Sequence, residues 1–374
     1  MFFSELGCLS EIRKVLKNYS CQKVMLVTGR NSFVLSGAKE IIEKSLYNID
    51  FIVFNEFDIN PKFSDALKGA LIAEQNSIDM IICIGGGSVI DMGKLIKVFY
   101  NRREEAKDIV EGLKKISDNN IPIIAIPTTA GSGSEATHFA VVYMDSLKFS
   151  VAHLSLTPSS VLLDGRLSVS ASKYQKACNV LDSVSQSIES AWAINSSKKS
   201  KQFAYESLEI SLKVAEKFIN SENNFAYAQK MLEAANLAGK AINISKTTSA
   251  HAWSYGFSMK YDIPHGHSVW LTLPKIFKIH AFNLKKKKSK NKTYEDLYDV
   301  MENLKDIFSI NTNDEIETYF DSFLEKMGIE KRCLSDFNFS RPQRYELSRL
   351  VNKERMNNNP VTFDISDVNE IFNL

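Results

Sequence analysis

Short apolar runs alternate with amphipathic stretches through the first 165 residues of the chain. Five runs have the length and β-branched content of strands: KVMLVT (23–28), DFIVF (50–54), DMIICIG (79–85), IPIIAIP (121–127) and SVLLD (160–164). Helical patterns separate the first four runs, and this alternation predicts a parallel sheet covered on both faces. Two further segments lie close enough together to form an antiparallel hairpin: HFAVVYM (138–144) and KFSVAHL (148–154).

The pattern changes after about residue 168. Long stretches with helical periodicity follow, such as SASKYQKACNVLDSVSQSIESAW and NNFAYAQKMLEAANLAGKAINI. A chain of 374 residues also exceeds the usual size of one domain. The sequence therefore predicts an α/β domain with a parallel sheet at residues 1–165, followed by an all-helical domain at residues 166–374.

Composition and charge narrow the classes of protein that fit. The 46 basic and 44 acidic side chains nearly cancel, so a general nucleic-acid-binding surface is not expected. Five scattered cysteines without a CxxC pair argue against a disulfide framework and a thiolate zinc site. With neither a signal peptide nor an apolar run long enough to span a bilayer, we expect a cytoplasmic chain without membrane contact. The basic run LKKKKSKNK (284–292) predicts a solvated loop.

Glycines follow the third predicted strand. DMIICIG leads directly into GGGSVIDMGK, where Gly86, Gly87 and Ser88 open a helix. Glycines allow a close backbone approach, and a helix N-terminus presents N–H groups and a positive dipole end that suit a pyrophosphate. The alternative is a tight strand-to-helix turn without a ligand. A second turn rich in glycine and hydroxyls, IPTTAGSGSEAT (126–137), follows the next strand, and two such loops at one sheet edge form a dinucleotide-sized crevice.

The residues after the first strand bear on the type of nucleotide. The sequence there is VTGRNS, with Gly29, Arg30 and Ser32 but no acidic residue. A carboxylate at this point usually binds a free ribose 2′-hydroxyl, whereas a cation favours a 2′-phosphate. We therefore expect NADPH to be preferred over NADH. The alternative is a glycine turn with an exposed arginine that contacts no cofactor.

Possible metal ligands occur in the helical half. Asp182 and Gln186 lie four residues apart in NVLDSVSQSIES and share one helix face. His251 occurs in TTSAHAWSYG and His265 in IPHGHSVW, with His267 directly after it. One carboxylate and two imidazoles are typical of an iron(II) site with open positions. Taken alone, the pattern also fits ordinary packed or surface histidines.

Four motifs together resemble the iron-containing (group III) alcohol dehydrogenase family: IGGGSVIDMGK, IPTTAGSGSEAT, LDSVSQSIESAW and IPHGHSVW. The resemblance covers about residues 20 to 283, and the remainder matches loosely through RMNNNPVTFDISDVNEIF. It implies a dehydroquinate synthase-like fold, in which a dinucleotide-binding α/β domain precedes a helical metal- and substrate-binding domain, with the active site between them. It also implies an NAD(P)-dependent enzyme acting on alcohols or aldehydes, a bound iron(II) or zinc ion, and a homodimer.

The resemblance assigns roles to individual residues. It places the pyrophosphate on Gly86, Gly87 and Ser88, with Asp91 and Lys94 beside it. It implies further cofactor contacts from Asn60, Thr128, Thr129, Ser132 and Lys148. The implied metal ligands are Asp182, His251 and His265.

Two positions depart from the family pattern. The family has a third metal-binding histidine four residues after the aspartate, and here that residue is Gln186, whose carboxamide oxygen is a poorer ligand. The family often has a second histidine four residues after His251, used in proton relay, and here that residue is Tyr255. The proton relay would then be supplied by His267 or Tyr255, and the sequence leaves both open.

These departures are similar to the phosphonoacetaldehyde reductase branch, through QSIESAW, SKTTSAHAWSYGF and IPHGH. The resemblance implies reduction of a small anionic aldehyde, and Lys246, Thr247 and Thr248 would bind the phosphonate. A hydroxyl-rich helix start is the alternative for these three residues. Other functions that the sequence leaves open are a general aldehyde reductase, a dehydroquinate-synthase-like cyclase and a non-catalytic nucleotide-binding protein.

Overall fold

The computed structural model describes residues 1–145, 147–220, 224–283 and 294–374. The basic run at 284–292 lies outside the described residues. The chain forms two compact units, which are described separately below. Unit 1 comprises Met1–Ala171 and Glu222–Gly239, and unit 2 comprises Ser172–Ser221 and Lys240–Leu374.

Unit 1 contains a six-stranded parallel sheet and a separate antiparallel hairpin. The strands are β1 (Phe2–Ser4), β2 (Lys23–Thr28), β3 (Asp50–Phe54), β4 (Met80–Gly85), β5 (Ile123–Pro127), β6 (Phe139–Met144), β7 (Leu147–Ala152) and β8 (Ser160–Leu163). The order in the sheet is β1-β8-β5-β4-β2-β3, with every neighbouring pair parallel, and β6 pairs with β7. The predicted sheet and hairpin are confirmed.

Alternation along the central strands builds two hydrophobic cores in unit 1, one on each face of the sheet. On β2, Met25 and Val27 join one core, while Val24 and Leu26 join the other. Six helices accompany the strands in this part of the chain: α1 (Ile12–Lys17), α2 (Ser32–Leu35), α3 (Ala38–Ser45), α4 (Phe63–Gln75), α5 (Gly87–Phe99) and α6 (Ala106–Val110). The near-continuous apolar strands are therefore explained by burial on both faces.

The second half of the chain is helical, as predicted. Its helices are α7 (Lys173–Trp192), α8 (Lys198–Asn220), α9 (Phe225–Ser245), α10 (Ser249–Tyr261), α11 (His265–Trp270), α12 (Leu273–Asn283), α13 (Tyr294–Phe308), α14 (Ile316–Lys326), α15 (Arg341–Arg349), α16 (Lys353–Asn357) and α17 (Ile365–Phe372). Within the described ranges, no helix combines the length and apolarity that crossing a membrane requires.

Buried serines allow the long helix α7 to pack closely on its neighbours in unit 2. The hydroxyl of Ser187 on α7 lies 2.9 Å from that of Ser207 on α8, and Ser190 on α7 lies 2.7 Å from Ser245. Small side chains bring helix axes together, and these two pairs of hydroxyls form hydrogen bonds across the contacts. This packing fixes α7 as the rigid element on which the polar residues of the next section stand.

Candidate functional site

The predicted pyrophosphate loop lies at the carboxyl end of β4, where Gly86 caps the N-terminus of α5. A Cβ atom added at Gly86 would lie 3.0 Å from Thr129 Oγ1, and one added at Gly87 would lie 2.6 Å from Ser132 Oγ. The two loops that follow β4 and β5 are therefore in contact. Glycine allows this close approach because it has no side chain. The start of α5 is half-buried there and is lined by backbone atoms.

Asn60 lies at this edge of unit 1, beside the predicted pyrophosphate loop. Its backbone N–H donates to Ser88 Oγ at 3.3 Å, and its φ of 69° places it in the left-handed region, which asparagine tolerates. Two sequence-predicted cofactor residues from distant segments are therefore neighbours.

Two buried hydroxyls at the same edge lack hydrogen-bond partners among the described residues: those of Thr28, which ends β2, and Thr128, which follows β5. Thr128 was predicted from sequence, whereas Thr28 was not singled out, although it directly precedes Gly29. Buried hydroxyls normally have a partner, so this pair indicates a polar ligand. Together with the glycine-lined start of α5, these residues fit a dinucleotide.

Arg30 is exposed, and its Nε donates to the carbonyl oxygen of Asn55 at 3.3 Å. Two acidic side chains follow β3 nearby. Lys68 and, more weakly, Arg30 lower the pKa of Glu56, and Lys62 and Arg30 do the same to Asp58. Each carboxylate thus has a lysine of its own, and Arg30 remains the cation next to Gly29.

Lys94 and Asp91 have a different role from the one expected. The Lys94 ammonium is buried, and five oxygens of the segment after β5, which belong to Ser134, Thr137 and Phe139, lie within hydrogen-bond distance of its three N–H groups. Asp91 accepts hydrogen bonds from the Ser134 hydroxyl and the Val141 amide. Burial lowers the pKa of Lys94 and raises that of Asp91, and their opposite charges partly offset both shifts. Lys94 and Asp91 therefore hold the second loop in place, because both charged groups form hydrogen bonds with atoms of that loop.

We expect Lys94→Met to lower the free energy of unfolding by about 3–5 kcal/mol, because it leaves buried oxygens and the Asp91 carboxylate without their cation. Urea denaturation of the purified protein measures this change, with Lys39→Met at an exposed position of α3 as the control. A variant of unchanged stability that only loses affinity for NADPH would instead make Lys94 a direct phosphate ligand.

Lys148 lies on β7, opposite Tyr143 in the hairpin, with its ammonium 5.8 Å from the centre of that ring. Its charge also lowers the pKa of Asp91. The hairpin therefore brings Lys148 near the loop network of unit 1, and its predicted contact with a cofactor stays a prediction.

In unit 2, the predicted metal ligands Asp182, His251 and His265 come together. One possible ligand atom from each lies within 4.8 Å of the others, and Asp182 Oδ1 is 3.4 Å from His251 Nε2 and 3.9 Å from His265 Nε2. A tetrahedral ion with bonds of about 2.1 Å separates its ligand atoms by roughly 3.4 Å, so the spacing fits. Asp182 Oδ1 and His251 Nε2 are buried without hydrogen-bond partners in the described part of the chain.

The electrostatics of this group also suit a cation. Burial raises the pKa of Asp182, but His251 and His265 outweigh burial and leave the pKa below its ordinary value. Burial lowers the pKa of His251, but the carboxylates of Glu189 and Asp182 outweigh it and raise the pKa overall. Two carboxylates thus lie beside imidazoles that bind a metal in their neutral form, and a divalent ion suits this group.

A glycine explains how two helices approach so closely at this point. A Cβ atom added at Gly266, near the start of α11, would lie 2.7 Å from the backbone nitrogen of Asp182 on α7, and it would also collide with the carbonyl oxygen of Cys178. The HGH sequence thus places His265 beside Asp182 because the next residue has no side chain.

Glu189, which sequence reasoning did not single out, organises the site. It is fully buried on α7, and its Oε2 bonds His251 Nδ1. Its Oε1 accepts from the hydroxyl of Thr248 at 2.7 Å and from the backbone N–H groups of Ala250, Thr248 and His251. Glu189 therefore caps α10 and holds His251 with Nε2 directed at the ion site, as carboxylates behind metal-binding histidines do. Its place seven residues after Asp182, on the same face of α7, was the available signal.

Gln186 is buried on the same face of α7 and hydrogen-bonds the Asp182 side chain, which lowers the pKa of that carboxyl. To lower it, the carboxamide must donate its N–H to the carboxylate. Gln186 thus lies beside Asp182 in the site, where the sequence leaves open whether it is a ligand or a neighbour of the ligands.

The two proton-relay candidates are in different surroundings. His267 is buried, with Nε2 2.7 Å from the carbonyl oxygen of Lys331 and Nδ1 2.9 Å from the Tyr174 hydroxyl, and burial lowers its pKa. Both nitrogens are engaged, which favours a structural role. The ring of Tyr255, by contrast, is stacked with that of His265 at 6.3 Å, so Tyr255 lies at the ion site.

The three residues predicted to bind a phosphonate are engaged in contacts within unit 2. The Lys246 ammonium bonds the Glu354 carboxylate at the surface. Thr248 donates to Glu189 and accepts from Trp192 Nε1 at 2.9 Å. Thr247 is buried, and its carbonyl oxygen accepts from the Asn358 side chain at 3.0 Å.

Comparison with known proteins agrees with this geometry. Residues 1–165 match the family described as iron-containing alcohol dehydrogenase, and residues 176–374 match the C-terminal part of the Fe-containing alcohol dehydrogenase family. A long-chain primary alcohol dehydrogenase from Thermoanaerobacter ethanolicus is 28% identical, over 72% of this chain and 69% of the relative. An NADPH-dependent butanol dehydrogenase from Clostridium saccharobutylicum is 26% identical, over 71% of this chain and 70% of the relative.

Among solved structures, sulfoacetaldehyde reductase from Bifidobacterium kashiwanohense in complex with NAD+ has a TM-score of 0.85 and is 25% identical, covering 100% of this chain and 96% of that chain. Fold, site and matches together define the class: an NAD(P)-dependent oxidoreductase that interconverts alcohols and aldehydes. The chain belongs to the iron-containing alcohol dehydrogenase family.

Proposed function

We propose that this enzyme reduces phosphonoacetaldehyde to 2-hydroxyethylphosphonate with NADPH. The observation that carries the reaction is the group formed by Asp182, His251 and His265, with Glu189 behind it. Two findings support the substrate. The sequence around this group is similar to the phosphonoacetaldehyde reductase branch, and the structural relative named a sulfoacetaldehyde reductase acts on another acetaldehyde with an anionic substituent.

Asp182, His251 and His265 would hold an iron(II) or zinc ion, with Gln186 and Glu189 orienting the ligands. Such an ion supplies Lewis-acid polarisation of the carbonyl oxygen, and bound NADPH supplies the hydride. The chain's own part is to keep His251 Nε2 and Asp182 Oδ1 fixed and dry before substrate arrives, so that no reorganisation is needed during reaction.

Tyr255 is the group that we assign to the proton. Burial raises the pKa of its hydroxyl, and Arg355 opposes this shift only in part. The phenol therefore keeps its proton at neutral pH and can donate it from Oη to the alkoxide that forms on the substrate.

Arg30 is proposed to select NADPH by binding its 2′-phosphate. A charge-assisted hydrogen bond contributes about 1.5–3 kcal/mol, so Arg30→Ala should raise KM for NADPH about 10- to 100-fold and leave KM for NADH nearly unchanged. Steady-state kinetics with both cofactors measure this. Arg13→Ala, which removes an exposed arginine elsewhere in unit 1, is the control. Equal losses with both cofactors, or a wild-type preference for NADH, would contradict the assignment.

A cofactor-oxidation screen tests the substrate. We expect kcat/KM for phosphonoacetaldehyde to exceed that for propionaldehyde and glyceraldehyde by about 10- to 100-fold, the contribution expected of a recognised charged group. If the simple aldehydes react as efficiently, the phosphonate assignment fails and the enzyme is a general aldehyde reductase.

A further inference from the structure

The turn between α9 and α10 leads directly into the helix that carries His251, and its backbone is strained. Lys246, the first residue of this turn, has a φ of 60°. A residue with a Cβ atom adopts this left-handed conformation only at an energetic cost, because Cβ approaches the following carbonyl oxygen. The side chain of Lys246 extends to the surface, where its ammonium bonds the Glu354 carboxylate. The conformation of the turn therefore depends on what holds its backbone.

Asn358, just beyond the end of α16, binds the backbone on both sides of Lys246. Its Nδ2 donates to the carbonyl oxygen of Ser245 at 2.8 Å and to that of Thr247 at 3.0 Å. An asparagine carboxamide has two N–H donors, so both are used on the residues that flank Lys246. The Asn358 side chain is buried, and water does not replace these bonds freely.

Asn358 also binds the segment that follows α7. Its Oδ1 accepts from the backbone N–H of Asn195 at 3.1 Å, and its backbone carbonyl oxygen accepts from the N–H of Ile194 at 2.9 Å. The helix α7 carries Asp182, and the turn at 246–248 leads into the helix of His251. One buried residue thus connects the chain segments next to two of the predicted metal ligands.

The neighbouring residue, Asn359, holds the first turn of α10. It is fully buried, and its Oδ1 accepts from the hydroxyl of Ser249 at 2.9 Å, while its Nδ2 donates to the carbonyl oxygen of Val361 at 2.7 Å. Ser249 lies two residues before His251. The same first turn supplies the backbone N–H groups that bind Glu189. The placement of these N–H groups therefore depends on the segment that contains Asn358 and Asn359.

We propose that Asn358 is a positioning residue for the metal ligand His251, and that it acts by holding Lys246 in its left-handed conformation. Glu189 orients the His251 ring only while the start of α10 lies within its reach. If Lys246 relaxes to an ordinary φ, the start of α10 shifts and this arrangement is lost. The inference rests on the proposed function in one respect, because it assumes an ion on Asp182, His251 and His265.

The first test compares the dissociation constant of Zn²⁺ in wild type, Asn358→Ala and Asn358→Asp, measured by competition with a chelator. Asn358→Asp keeps the size of the side chain and the acceptor for Asn195 but removes the two N–H donors. We expect both variants to bind Zn²⁺ about 10-fold more weakly, as when an outer partner of a metal ligand is lost. A purely structural residue would lower the free energy of unfolding and leave Zn²⁺ binding by the folded protein unchanged. Asn303→Ala, at an exposed position of α13, is the control.

A rescue experiment tests the strained turn itself. Glycine adopts a left-handed φ without a Cβ clash, so adding Lys246→Gly to Asn358→Ala should recover most of the lost Zn²⁺ affinity. Lys246→Ala in the same background is the matched control, since it also removes the ion pair with Glu354 but keeps a Cβ atom; it should recover none. Equal recovery by glycine and alanine, or unchanged Zn²⁺ affinity in both Asn358 variants, would overturn the inference. If Asn358→Ala does not fold, Asn358→Asp with the same two second changes decides.

Hydrogen–deuterium exchange of the metal-free proteins separates this inference from the proposed function. We expect the backbone N–H groups of Thr248, Ala250 and His251 to exchange faster in Asn358→Ala and to regain protection when Lys246→Gly is added, relative to those of α13 as an internal reference. If wild type binds no metal, the proposed function fails, and exchange alone supports or overturns the role of Asn358. If wild type binds Zn²⁺ and reduces aldehydes while both Asn358 variants keep its affinity and exchange pattern, the function stands and the inference fails.

Discussion

Replacing Asp182 by alanine is expected to abolish metal binding and to lower kcat/KM for aldehyde reduction by about 10³-fold. Asp182 contributes the only carboxylate among the three clustered candidate ligands of the described chain, and its Oδ1 lies between the two imidazoles. Without it, two histidines remain at the position, and the carboxylate that favours a cation there is lost. Elemental analysis of the purified variant and steady-state kinetics measure the two effects.

His265→Ala should act in the same direction, since it removes a second ligand. Asp306→Ala, which deletes an exposed carboxylate on α13, is the matched control and should retain full metal content and turnover. Unchanged turnover in both Asp182→Ala and His265→Ala would rule out an ion at this position as part of the reaction. A protein that binds nucleotide but has no turnover would favour a non-catalytic role.

Glu189→Gln is expected to weaken metal binding about 10- to 100-fold, although no predicted ligand is changed. The glutamine oxygen can still accept the N–H groups at the start of α10. Its amide nitrogen then faces His251 Nδ1 and donates to it, which moves the imidazole proton to Nε2. Because Nε2 is the atom directed at Asp182, the histidine is held in the wrong tautomer for a ligand.

Competition with a chelator of known affinity measures the dissociation constant of the metal in Glu189→Gln and wild type. Thermal unfolding of the metal-free proteins separates the capping role from the tautomer role. We expect a small loss of stability without metal and a large loss of metal affinity. An unchanged metal dissociation constant would show that Glu189 only caps α10.

Much of the fold was predictable from sequence because the strands of unit 1 are buried on both faces and have uniform apolar runs. The bounds of β2 and β3 coincide with the predicted runs. The three-residue strand β1 was missed, since its parallel pairing with β8 is a long-range contact that no local pattern reports. The division of unit 1 into Met1–Ala171 and Glu222–Gly239 is likewise a property of contacts.

The candidate site was predictable from sequence where the type of a residue by itself indicates its chemistry. It was less predictable where the neighbours of a residue in the fold determine its role. Asp182, His251 and His265 are brought together as expected. From the sequence, Lys94 was predicted to lie beside the pyrophosphate at the glycine loop. In the structure, its N–H groups face five oxygens of the neighbouring loop. Which acceptors surround a lysine depends on tertiary structure, so spacing alone could not show this.

Glu189 and Arg355 illustrate the remaining limit. Both are charged residues that sequence patterns assign to solvent-exposed faces, and both are buried in the structure. Arg355 lies more than 80 residues after His265 in the chain. Its position beside Tyr255 follows from the packing of α16 on α10, which the structure provides.

The stoichiometry of phosphonoacetaldehyde reduction tests the central claim most directly. Metal-loaded enzyme is incubated with NADPH and phosphonoacetaldehyde, NADPH consumption is followed by absorbance, and 2-hydroxyethylphosphonate is quantified by ³¹P NMR. The account predicts about one molecule of product per NADPH consumed, and no product with Asp182→Ala. Consumption of the aldehyde without net NADPH oxidation, as in a cyclase that uses its nucleotide transiently, would contradict it.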